Sequence, residues 1–75
     1  MLHIRPAEPP SGLITIALEG MQKVVVYNTF GHTLLTKEAS SDVLQLDLSR
    51  FEDGLYWIKV MVQGEVVTRR FVLSR

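Results

Sequence analysis

Two histidines and eight carboxylates are the groups with which this chain of 75 residues would do chemistry. His3 lies in a proline-rich opening stretch and His32 follows a turn. Neither is spaced to a carboxylate pair in the way a metal site requires. There is no cysteine, which removes thiolate ligands, disulfides and thiol nucleophiles together. Serine, histidine and aspartate all occur, but no spacing sets a base within reach of a nucleophile. Asp47, Glu52 and Asp53 are close in sequence. A glycosidase pair needs a cleft between its carboxylates, and so short a chain has little material to build one. These acids read as solvated turn charges. No glycine-rich loop follows a strand to cradle phosphate, and Tyr27, Phe30 and Trp57 do not interleave with basic residues. We expect no catalytic centre, no metal and no cofactor.

Two surface features remain. If Tyr56 points into a core, Trp57 points out beside Leu55, Lys59 and Met61. An exposed apolar stripe of this kind marks a partner surface; the alternative is packing beneath a neighbouring strand or loop. A carbohydrate-binding β-sandwich is a further reading, with this one tryptophan as its support. Arg69, Arg70 and Arg75 gather positive charge toward the end of the chain. They read either as gatekeepers of an edge strand or as a basic handle for a receptor.

The elements that would position these groups are short strands between turns. After "RPAEPPSG", whose prolines favour an extended linker, "GLITIAL" sets Ile14, Ile16 and Leu18 on one face. "KVVVYN" sets Val24 and Val26 on one face and Val25 and Tyr27 on the other. "NTFG" reads as a turn in which Gly31 takes positive φ. "HTLLTKE" is a polar candidate edge strand, and "DVLQLDL" turns Leu44, Leu46 and Leu48 inward. "GLYWIKVMV" turns Tyr56, Ile58, Val60 and Val62 inward, and Gln63-Gly64 forms a two-residue hairpin loop into the last strand. Such spacing predicts an all-β fold, an antiparallel β-sandwich of about seven strands. Residues 1–11 read as a linker with a short first strand near His3 to Arg5, and residues 12–75 as the sandwich domain.

One corner is more specified than the rest. Ser49-Arg50-Phe51-Glu52 has the spacing of a capping box, so Ser49 is expected to cap a single helical turn with Glu52 reaching back. Gly54 would end that turn in the left-handed region. Tyr56 then has the spacing of a tyrosine corner, its hydroxyl reaching backbone upstream as in immunoglobulin-like sandwiches.

The order of motifs resembles the C-terminal sorting domain of type IX secretion (Por secretion system) cargo. The resemblance is carried by "VVVYNTFGHTL" and then "LQLDLSRFEDGLYWIKVMVQGEVVTRRFVL". Val26, Tyr27, Asn28 and Gly31 match the first block of that family; Asp47, Leu48, Ser49, Gly54, Tyr56, Lys59 and Val60 match the second. Phe51 replaces a usual leucine, Arg69 and Arg70 stand where lysines are usual, and the family's Pro-Asn-Pro opening lacks its asparagine here. The resemblance implies an immunoglobulin-like sandwich that is a signal rather than an enzyme. A shuttle protein or the translocon would read it in the periplasm, and a cell-surface sortase would usually remove it. The cargo would then be at the outer-membrane surface of a Gram-negative bacterium, or outside the cell. The altered opening motivates an alternative, a retained module that docks a component of the same machinery at the surface. Recognition by strand addition would use the last strand, at Phe71 and Leu73. The same edge would pair or swap strands between two copies.

Eight basic residues balance eight acidic ones, so net charge does not draw the chain to nucleic acid or an anionic membrane. No apolar run approaches the ~20 residues that cross a bilayer. The opening residues lack the order of a signal peptide, so export would require this stretch to be part of a longer chain.

Overall fold

Alternating apolar residues become strands wherever turn residues bracket them. The computed structural model describes all 75 residues and contains no helix. The strands are β1 (His3–Pro6), β2 (Leu13–Ala17), β3 (Met21–Tyr27), β4 (Thr33–Glu38), β5 (Val43–Asp47), β6 (Gly54–Val62) and β7 (Glu65–Leu73). They form two antiparallel sheets, one in the order β1-β2-β5 and one in the order β4-β3-β6-β7. This is the all-β, sandwich-like arrangement read from the sequence. No helix is present that would cross a membrane.

Register follows from which side chains must be dry. In the larger sheet Val24 lies opposite Val60 and Val26 opposite Ile58; in the smaller, Ile14 lies opposite Leu46. A slip of one residue would turn each of these to water, so the pairing is strongly specified. The core between the sheets is Ile14, Ile16, Leu46 and Leu48 from one side and Met21, Val24, Val26, Tyr56, Ile58, Val60 and Leu73 from the other. Each such side chain contributes about 1.5–3 kcal/mol when fully buried. With only eleven of them, the fold depends on its turns as well.

The turns are built by short polar side chains. Asn28 Oδ1 accepts the backbone N–H of Phe30 and of His32, each at 3.0 Å, and Gly31 completes the turn at φ +86°. Asp42 Oδ1 accepts the Gly20 N–H at 3.1 Å, tying one turn to another across 22 residues. Gln63-Gly64 closes the β6–β7 hairpin with Val62 opposite Glu65.

The opening stretch is more than a linker. His3 to Pro6 pair with β2 from Ala17 to Ile14. Pro6 is tolerated because β1 is an edge strand, where a missing ladder donor faces solvent.

Candidate functional site

The chain places its most specified residues at one end of the sandwich. Asn28, Thr29 and Phe30 of the first turn and the segment Phe51–Tyr56 line the same open groove, of about 420 Å³, with Phe30, Leu34 and Leu55 among its apolar walls. Residues separated by more than twenty positions in sequence thus share one surface.

At this corner the tyrosine reading holds. The Tyr56 hydroxyl donates to the Glu52 carbonyl at 2.5 Å, and its ring is buried against Phe51 at a centroid distance of 5.9 Å. The helical turn expected from Ser49 is absent. Instead the Phe51 N–H closes a turn onto the Leu48 carbonyl at 3.0 Å, and Asp47 Oδ1 accepts the Ser49 N–H at 2.9 Å. Asp47 stands two residues ahead and offers its carboxylate locally. One isolated helical turn has no propagation to offset its nucleation. Glu52 contributes its carbonyl to Tyr56, and its side chain makes no bond back to Ser49. Gly54 has a positive φ of +150°, well beyond the +50 to +70° of the left-handed helical region.

The Ser49 hydroxyl and backbone N–H hold the Asp47 carboxyl below the usual carboxylate range, against a small opposing effect of desolvation and with help from the Arg50 charge.

The basic residues near the end of the sequence lie on different surfaces. Arg75 does not form a handle with Arg69 and Arg70. Its guanidinium donates to the carbonyls of Ser49 and Phe51 and pairs through Nε with Asp53 Oδ1 at 3.2 Å. The end of the chain is thereby fastened to the corner. Arg69 and Arg70 occupy opposite faces of β7, since Arg69 is aligned with buried Ile58 and Arg70 with Trp57. Leu73, expected on the partner surface, is buried, and Phe71 packs against the core opposite Tyr56. What β7 exposes on its outer face is Val66, Thr68, Arg70 and Val72.

The motif residues sort by what they touch. Val26, Leu48, Tyr56 and Val60 are core. Asn28, Gly31, Asp47 and Ser49 build turns, and Gly54 opens β6. Tyr27 and Lys59 belong to neither group. They lie on the outer face of the larger sheet, with the Lys59 ammonium 5.8 Å from the Tyr27 ring centroid, as a cation–π pair. Trp57 is on that face too, half-buried and aligned with Tyr27 on one side and Arg70 on the other.

Gly12 belongs to the corner and carries no signal in the sequence pattern beyond being a glycine after prolines. Its carbonyl accepts the Leu48 N–H at 2.7 Å. A Cβ at Gly12 would stand 2.5 Å from Ser49 Cα, and its φ is +94°. Only glycine lets the start of β2 pass so near the corner.

No group of three His, Cys, Asp or Glu side chains gathers in a way that would hold a metal. No curated protein matches the chain. Residues 7–74, nearly the whole chain, match the family model described as the secretion system C-terminal sorting domain. The chain therefore belongs to the type IX secretion C-terminal sorting domain family and carries a sorting signal of that system.

Proposed function

We propose that this domain works as a folded shape to be read, with no catalysis of its own. In this reading a shuttle protein or the translocon recognises it in the periplasm, a larger cargo ahead of it is carried across the outer membrane, and a cell-surface sortase then removes the domain. The observation that carries the reading is the convergence of both motif blocks, with Arg75, on one end of the sandwich. Residues that a catalytic site would use for chemistry are here engaged in holding backbone. The Asn28 amide, the Asp47 carboxylate, the Tyr56 hydroxyl and the Arg75 guanidinium all bond to main-chain groups.

The test is a secretion assay. A signal peptide, a fluorescent reporter and residues 1–75 are fused and expressed in a bacterium with type IX export. The reporter is expected at the surface or in the medium, and in the periplasm of a translocon mutant. A folded fusion that stays periplasmic in the wild-type host overturns the reading. The size of the exported reporter separates a removed signal from a retained docking module.

A further inference from the structure

The outer face of the β4-β3-β6-β7 sheet has no element packed over it, because the smaller sheet covers the opposite face. Its composition is unusual for a solvated face. Reading across the register, Tyr27, Trp57 and Arg70 form one row; Val25, Lys59 and Thr68 the next; Lys23, Met61 and Val66 the third. Leu55 and Val72 continue it toward the corner. Val66 and Val72 are 59% and 64% exposed, which excludes packing within the chain as their purpose.

The cations on this face lie on a line. Lys23 is on β3, Lys59 on β6 one row along, and Arg70 on β7 one row further. With strands about 4.8 Å apart and same-face residues about 6.7 Å apart, successive positions on this diagonal are roughly 8 Å from one another. Val25, Tyr27, Leu55, Trp57 and Val72 flank it on one side, and Met61 and Val66 on the other. Glu38, opposite Lys23 at the β4 edge, is the only acid in these rows.

We infer that this face is the docking surface for an acidic protein surface, one in which carboxylates meet the diagonal of cations and apolar side chains meet its flanks. A partner that covered Val66, Val72 and Trp57 would also cover Lys59 and Arg70. Burying those charges unpaired is costly, so the partner must present acids there. The aliphatic flanks favour a protein over a polyanionic glycan, which would use the cations and leave Met61, Val66 and Val72 without a role. This inference rests on the sorting function proposed above and names where and by what chemistry the signal is read.

The test compares two charge-reversed pairs in the same secretion assay. Lys59→Glu with Arg70→Glu alters the outer face. Lys37→Glu with Arg69→Glu makes the same change in net charge on β4 and β7, at positions aligned with buried Val24 and Ile58 on the inner side. All fusions are first checked for folding by thermal melting. Where the glutamate pair melts early, Lys59→Gln with Arg70→Gln takes its place. The outer-face pair is expected to reduce export by about tenfold or more, an ordinary loss for paired interface charges, while the other pair exports like the parent. Equal export by both pairs, or equal loss in both, overturns the docking face while leaving the sorting function standing. Failure of the folded parent to export overturns the sorting reading and this one together. The isolated chain is also titrated with heparin. Micromolar binding that is lost on Lys59→Glu with Arg70→Glu would assign the face to polyanions and overturn the protein-surface assignment.

Discussion

Asp47, Tyr56 and Gly12 show three ways in which single residues hold one corner. Tyr56 combines a buried ring with a hydroxyl that donates to Glu52. Tyr56→Phe should cost about 1 kcal/mol, the net worth of one such bond. Tyr56→Ala should cost about 3–5 kcal/mol, because it also empties the space of the ring. Urea denaturation midpoints would separate the two contributions. Gly12→Ala should cost about 2 kcal/mol, since both its positive φ and its close approach to Ser49 exclude a Cβ. A substitution that left the melting temperature unchanged would show that the β2 start can move away. Asp47 makes the corner sensitive to acid. Its folded-state pKa lies below its unfolded value. The stabilisation is therefore complete above the unfolded carboxylate range, about pH 4, and is lost as pH falls through the folded value. In a series of melts from pH 7 to pH 2, Asp47→Asn should flatten part of this acid limb. An unchanged acid limb would exclude the Asp47–Ser49 bond as its source.

At the scale of strands, both edges of the larger sheet are open. β4 and β7 both end that sheet with unpaired backbone on one side. Each carries a cation at an inward register position: Lys37 is aligned with buried Val24, and Arg69 with buried Ile58. Both side chains are nonetheless exposed. An incoming strand would extend the inner face over these charges, which is unfavourable. The double substitution Lys37→Val with Arg69→Val should change stability little, within about 0.5 kcal/mol, and should promote self-association. Sedimentation velocity at rising concentration would read it; a variant that stays monomeric would mean the edges are protected by something other than charge. Arg69 thus stands with Lys37 at the sheet edges, whereas Arg70 and Arg75 belong to different surfaces.

At the scale of the whole molecule, a chain with eleven core residues gains from fastening its ends. β1 is paired to β2, and Arg75 is bound to carbonyls of Ser49 and Phe51 and to Asp53. The corner and the chain end therefore stabilise each other. Arg75→Ala should lower stability by about 1 kcal/mol, in the range of charge-assisted bonds at a partly exposed site. It should also speed amide exchange at Phe51 and neighbouring residues. Arg75→Lys should restore little, because one ammonium cannot reproduce the two-carbonyl fork of the guanidinium. Exchange at the corner that is unaffected by either change would show that the end is held independently.

Much of the fold was legible in the sequence because strand alternation has a period of two and depends only on local order. The runs at Ile14, Val24, Leu46 and Ile58 announced their inward faces, and Asn28, Gly31 and Gly64 announced their turns. The family was legible for the same reason, as ordered short motifs. The corner was legible only in part. The spacing of Tyr56 predicted its bond, but the spacing of Ser49 and Glu52 suits a helical turn equally well, and the competing carboxylate of Asp47 decided against it. What lies far apart along the chain was decided only by the tertiary structure. Nothing local places Gly12 against Ser49 or Arg75 on the corner, and nothing local aligns Lys23, Lys59 and Arg70. Those relations depend on which strands are neighbours and in what register, and register is set by the joint burial of the whole core rather than by any one segment.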